Sequence, residues 1–245
     1  QFLVALGKCF ELQAGETVYI ETYGDISILG CNDTVQIESK FYKENLTDYD
    51  HNIWNTLNNW LKESFPIDSF SSLVLLTTQN VKSTSIWFGW NDKNIAEKLQ
   101  ILQNAALKYY RKKSSKDAKT EKLIQSVLNE AKFERLKIAL KKFVIDNNAL
   151  NDIKYYKYIK ETLAKTIPEI RQDEFIRSML GYVISPQTID NNWSITYDDF
   201  RQEVNILAQS LIDTTTHFPS KIRLIDIKHE EYNTNPFVDK IKQIE

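Results

Sequence analysis

Glycine, proline and cysteine are scarce in this chain, at 6, 5 and 2 of 245 residues. The two cysteines, Cys9 and Cys31, form neither a CxxC pair nor a disulfide framework, which argues against a thiolate metal site and leaves free thiols as the expectation. No run of about 18 apolar residues exists, and no basic leader precedes an apolar signal segment, so a soluble, cytoplasmic protein is expected. A surplus of either charge is also missing: 31 Lys and Arg face 33 Asp and Glu, for a net charge of -2. Phosphate neutralisation normally needs an excess of cations, so any grip on DNA has to be local or shared with partners. The absence of a glycine-rich phosphate loop removes support for an NTPase. His51, His217 and His229 are scattered without HxH or HExxH spacing, which disfavours a zinc site or a histidine-based hydrolase. A single methionine, Met179, and a start at Gln1 inside an apolar run lead us to expect a further segment upstream.

What the chain does have is enough apolar residues, 42%, for a sizeable core, and a change of pattern along its length. All but one of the glycines lie in the first 90 residues. There, Phe2, Leu3, Leu6 and Phe10 recur at helical spacing and predict a helix over 1–13 that ends near Gly15. "TVYIETY", "DISIL" and "TVQIESKFY" predict three strands, separated by a tight turn at Gly24 and by the "GCND" turn. A second helix follows, with Asp50 as N-cap, a stripe of Ile53, Trp54, Leu57, Trp60 and Leu61, and Pro66 as its stop. "SSLVLLTT" then has the continuous apolar character of a strand buried on both faces. The expected fold class is thus α/β (α+β), with an αβββαβ core over residues 1–92 followed by an α-helical domain over 93–245.

In that second part the spacing predicts helices near 93–113, 118–146, 152–166, 169–184 and 196–214, the last capped by Thr196. The tail from 217 onward has no clear pattern. "KYYRKKSSKDAKTEKL", residues 108–123, offers a local basic cluster behind two tyrosines, though a solvated helix end and linker accounts for it more simply. Trp54 and Trp60 fit core packing better than base stacking. "FGW" at 88–90, with Trp87, is expected to be an exposed or interfacial aromatic cluster.

The chemistry centres on "QIESK". Alternation sends Val35, Ile37, Ser39 and Phe41 to one face and Gln36, Glu38 and Lys40 to the other. Residues two apart on a strand lie about 6.6 Å from each other, so Glu38 could hold a cation while Lys40 faces the same phosphate. Asp25, just after the Gly24 turn, falls on the neighbouring strand, where antiparallel pairing brings it beside Glu38. Two carboxylates and an ammonium suit Mg²⁺ (or Mn²⁺) and the charge stabilisation that phosphoryl chemistry requires. Glu21 is a further candidate metal ligand and Glu11 a more remote one, though a surface acid is the plainer account of each; Gln36 is a candidate for substrate positioning, and Thr77 and Thr78 are candidates for a place near the site, though a strand end alone accounts for them more simply. Glu-x-Lys by itself is weak, since Glu130-Ala131-Lys132 repeats it in a segment read as helix, where such positions do not face each other.

The stretches "GDISI" (24–28), "QIESK" (36–40), "LTDYDHNIWNTLNNWL" (46–61) and "LVLLTT" (73–78) together resemble the PD-(D/E)xK nuclease superfamily. More narrowly they look like the endonuclease effectors of bacterial anti-phage systems, in particular the nuclease subunit of Lamassu and related ABC-three-component systems. The resemblance in motifs covers residues 16–90. It implies that Asp25, Glu38 and Lys40 form a catalytic centre, with Gly24 standing where the motif proline would be. It further implies a Mg²⁺-dependent cutter of double-stranded DNA, held by an SMC-like ATPase subunit and a small accessory subunit and activated with self-association. A catalytically inactive scaffold that kept the fold and an RNA-cleaving nuclease are the competing readings.

Overall fold

The computed structural model describes residues 1–30, 33–111 and 117–211. Cys31, His217, His229, the middle of the basic segment and the tail lie outside the described residues. The expected αβββαβ order is present: α1 (Phe2–Glu11), β1 (Thr17–Ile20), β2 (Ile26–Leu29), β3 (Val35–Lys40), α2 (His51–Trp60) and β4 (Ser72–Thr77). β1, β2 and β3 form an antiparallel meander, and the α2 crossover returns the chain so that β4 pairs parallel to β3. The α2 start is set by Asp50, whose Oδ1 accepts from Asn52 N at 2.9 Å.

Two strands come from the part expected to be wholly helical. β5 (Phe143–Asp146) pairs parallel to β4, and β6 (Ser194–Thr196) pairs antiparallel to β1, completing the order β5-β4-β3-β2-β1-β6. The helix predicted over 118–146 is therefore corrected to α4 (Ala118–Val127), a 3₁₀ turn (Glu130–Lys132), α5 (Phe133–Lys142) and then β5. Asn129 causes the first break, because its side chain accepts from Ala131 N and starts a new turn. The second break is held by Lys98, on α3 (Ile95–Arg111), whose buried ammonium donates to the carbonyls of Leu140 (3.2 Å) and Phe143 (3.0 Å). Beyond β5 lie α6 (Asp152–Tyr158), which runs into a π-helical turn, then α7 (Glu169–Val183), a short α8 (Pro186–Asp190) and α9 (Tyr197–Leu211). Thr196 caps α9 as expected, its hydroxyl accepting from Asp199 N at 3.1 Å.

The sheet lies between two apolar layers. Leu73 and Leu75 of β4 join one cluster with α2, α3, α4 and α5, whereas Val74 and Leu76 face a second cluster built from α1, α7 and α9. Residues 1–211 form one compact unit, in which β5 and β6 belong to the same sheet as β1–β4. Trp54 and Trp60 are in the core, as expected, at 0% and 1% exposure. The reading of the aromatic cluster at 87–90 needs correction: Trp87 and Trp90 are buried, and of its aromatic rings only that of Phe88 is exposed. Gly89, at φ +60°, makes the turn that points the two indoles inward. Among the described residues no helix is long and apolar enough to cross a membrane.

Candidate active site

Asp25 precedes β2 by one residue, and the register pairs Ile26 with Ile37, so the aspartate stands opposite Glu38 one step beyond the last pair. A five-residue hairpin, closed by Glu21 N donating to Asp25 O at 3.2 Å, delivers it there. Gly24 is required at that bend for two reasons. Its φ of +114° is disfavoured for any side chain, and a Cβ would collide with the Gln36 amide and the Glu38 carboxylate.

Lys40 links the two acids. Its Nζ lies 3.1 Å from Glu38 Oε2 and 3.4 Å from Asp25 Oδ2. Asp25 Oδ2 also accepts from Ser39 N (2.8 Å) and Ser39 Oγ (2.9 Å), which leaves Oδ1 without a hydrogen bond among the described residues. The predicted trio Asp25, Glu38 and Lys40 is thus brought together by the fold. Gln36 sits on the same face and is fully buried: its Nε2 donates to Glu38 Oε1 at 3.0 Å, while its Oε1 accepts from Trp60 Nε1 at 2.6 Å.

The other predicted acids stand apart. Glu21 is exposed at φ +58° and accepts from the Gln1 side chain at 2.8 Å. Glu11 is exposed and paired with Lys8 at 2.7 Å. Among the described residues no cluster of three or more His, Cys, Asp or Glu is placed to hold a metal, so Glu21 does not complete a ligand set with Asp25 and Glu38. Thr77 supports the site through the backbone, its hydroxyl donating to Lys40 O at 2.9 Å, and Thr78 ties the strand end to Tyr42.

The electrostatics follow from one ammonium divided between two carboxylates. Burial pushes the Glu38 carboxyl above its ordinary value and the charge on Asp25 adds to this, outweighing the opposing pull of Lys40 and Gln36. Burial alone would depress Lys40, but Glu38 and Asp25 together hold its ammonium above the ordinary lysine value. With both carboxylates ionised, one ammonium leaves a negative charge unbalanced in a poorly solvated place, which favours a further cation. Two hard carboxylates, one with an unbonded oxygen, suit Mg²⁺, which keeps several waters and takes one or two protein carboxylates.

Ser39 and Trp60 hold the cluster in place through contacts that pattern reasoning missed. Strand alternation sends Ser39 to the opposite face, yet its backbone N–H and hydroxyl both clamp Asp25 across the hairpin end. Trp60 had a usable signal: a buried indole N–H needs an acceptor, and Gln36 is the neutral polar side chain on the facing strand.

No protein-family model matches the chain, and no curated protein matches it significantly. Among solved structures it is similar to a Cap4 SAVED/CARF-domain containing receptor of Moraxella osloensis, at 14% identity and a TM-score of 0.46 over 86% of this chain and 47% of that one. It is also similar to the Acinetobacter baumannii Cap4 SAVED/CARF-domain containing receptor with the cyclic trinucleotide 3′3′3′-cAAA, at 11% identity and a TM-score of 0.46 over 85% of this chain and 43% of that one. The chain spans less than half the length of each.

Proposed function

We propose that the chain is a divalent-metal-dependent nuclease that hydrolyses phosphodiester bonds in DNA. The observation that carries this reading is the placement of Asp25 Oδ2 and Glu38 Oε2 around the single ammonium of Lys40, at 3.4 and 3.1 Å. Asp25 and Glu38 would hold the ion, which when bound supplies a more acidic water and neutralises charge on a phosphoryl oxygen. Lys40 keeps its proton at neutral pH, since its two acidic neighbours raise its affinity for it. It therefore cannot serve as a base, and its task is to donate to the oxygen on which charge develops in the transition state. Ser39 orients Asp25 by accepting none of its charge and donating twice to one oxygen. Gln36, fixed by Trp60, orients Glu38 in the same way.

The wider setting stays within this proposal and rests on the sequence resemblance: an effector of bacterial antiviral defence, assembled with an SMC-like ATPase and a small accessory subunit. A weakly binding nuclease fits that arrangement, because a net charge of -2 gives little intrinsic attraction to DNA. Plasmid and RNA substrates incubated with Mg²⁺, with and without the partner subunits, test the reading against a Lys40→Ala control. Cutting of DNA that disappears in the control is expected. Equal cutting by the variant refutes it, and preferential RNA cleavage replaces DNA by RNA as substrate.

A further inference from the structure

Beside Glu38 the structure opens a pocket of about 240 Å³, whose walls include Tyr23, Gly24, Glu38, Asn59, Lys62 and Phe65. One wall is aromatic and held in place from behind: Phe65 stacks on Phe70 at 5.5 Å and 16°, and Tyr23 meets Phe70 edge-on at 6.1 Å. Two of its polar groups are uncommitted. Among the described residues, the Asn59 amide and the Lys62 ammonium make no side-chain hydrogen bond or ion pair. Glu38 at the mouth repels an anion, so a neutral ring is admitted and a phosphate is kept outside, where exposed Lys62 can meet it. The volume is below the roughly 300 Å³ at which ordinary small-molecule sites begin, which limits the occupant to a single planar ring system.

We propose that this pocket receives one unpaired nucleobase next to the phosphate addressed by Asp25, Glu38 and Lys40, so that the substrate is single-stranded or locally unpaired nucleic acid. The inference rests on the hydrolase reading and deepens it. A base inside a duplex is stacked and cannot lie against Tyr23 and Phe65 without leaving the helix. Stacking on an aromatic wall and an amide edge also supplies affinity without a cationic surface, which this chain lacks.

The test uses the full chain with short oligonucleotides that are single-stranded, bulged by one nucleotide, or fully paired. With Mg²⁺, the single strand and the bulge are cut about tenfold faster than the paired duplex, and Asn59→Ala reduces that ratio. Lys62→Ala weakens all three substrates, because it removes a phosphate contact. With Ca²⁺ in place of Mg²⁺ to suppress cutting, fluorescence anisotropy gives weaker binding of the single strand by Asn59→Ala and no change for the paired duplex. Equal cutting of paired and unpaired substrates overturns the pocket while leaving the hydrolase. If no substrate is cut even with the partner subunits added, the hydrolase fails, and the Ca²⁺ titration then decides the pocket: identical single-strand binding by wild type and Asn59→Ala overturns it as well.

Discussion

Replacing Lys40 with methionine keeps most of the side-chain volume and removes the charge that two acids share. In the wild type the side chains of Lys40, Glu38 and Asp25 are 19%, 11% and 21% exposed, so the pairs are mostly but not fully withdrawn from water. Breaking a fully buried ion pair by deleting one partner costs about 3–5 kcal/mol; partial solvation reduces this to about 2–3 kcal/mol at pH 7. For a unit of this size that is a fall in Tm of roughly 5–10 °C, measurable by calorimetry or urea unfolding. The pH dependence has a definite sign. Without Lys40, burial and Asp25 raise the Glu38 carboxyl further, and a carboxyl raised by folding stabilises the fold below the ordinary carboxylate range and loses that contribution as pH climbs through the raised value. The deficit of the variant therefore shrinks as pH falls from 7 toward 5. Mg²⁺ takes over part of the missing charge, adding about 1.4 kcal/mol at a concentration tenfold above its dissociation constant, and more in the variant than in the wild type. DNA cleavage drops by about 10²–10³-fold nonetheless, since a phosphate donor is gone. A variant as stable as wild type at pH 7, with unchanged pH dependence and no response to Mg²⁺, would refute the idea of a shared charge site.

Asp25→Asn keeps an acceptor for Ser39 and Lys40, so stability changes by less than about 1 kcal/mol while Mg²⁺-induced stabilisation and cleavage are lost; calorimetry with and without the metal checks both. Gly24→Ala combines a disfavoured φ with a collision against Gln36 and Glu38 and costs about 2–4 kcal/mol by urea unfolding. Trp60→Phe leaves the buried Gln36 oxygen without its donor, which costs about 1–3 kcal/mol and weakens Mg²⁺ binding about tenfold in a titration monitored by thermal shift; an unchanged metal affinity would remove Gln36 and Trp60 from the supporting shell.

The central strands and the grouping of Asp25, Glu38 and Lys40 were legible because strong local signals agreed. The Gly24 bend and the two-residue alternation of "VQIESK" place Asp25 opposite Glu38, and the Asp50 cap fixes the start of α2. β5 was not legible, for a physical reason: Leu136, Ala139 and Leu140 continue into Phe143 and Ile145 without a glycine or proline, and four residues are too few for alternation to outweigh the helical period. What ends the helix there is Lys98, 42 residues from Leu140 in sequence, and no local pattern contains it. β6 is shorter still, and it follows Asn192 and Trp193, both at positive φ, a turn that propensity would not assign to tryptophan. The face of Gln36 was legible but its burial and its bond to Trp60 were not, because strand alternation tells which side a residue is on and not how deep it lies.

The outer strands of the sheet are contributed by residues 143–146 and 194–196, whereas everything between them is spelled out before residue 78. A polypeptide truncated after the fourth strand would carry the whole acid–lysine cluster yet leave hydrogen-bonding groups bare along both β1 and β4. Such a fragment is expected to self-assemble through those rims and precipitate, so the half that carries the acid–lysine cluster cannot be shortened to its motifs without losing the covers that keep its sheet solitary.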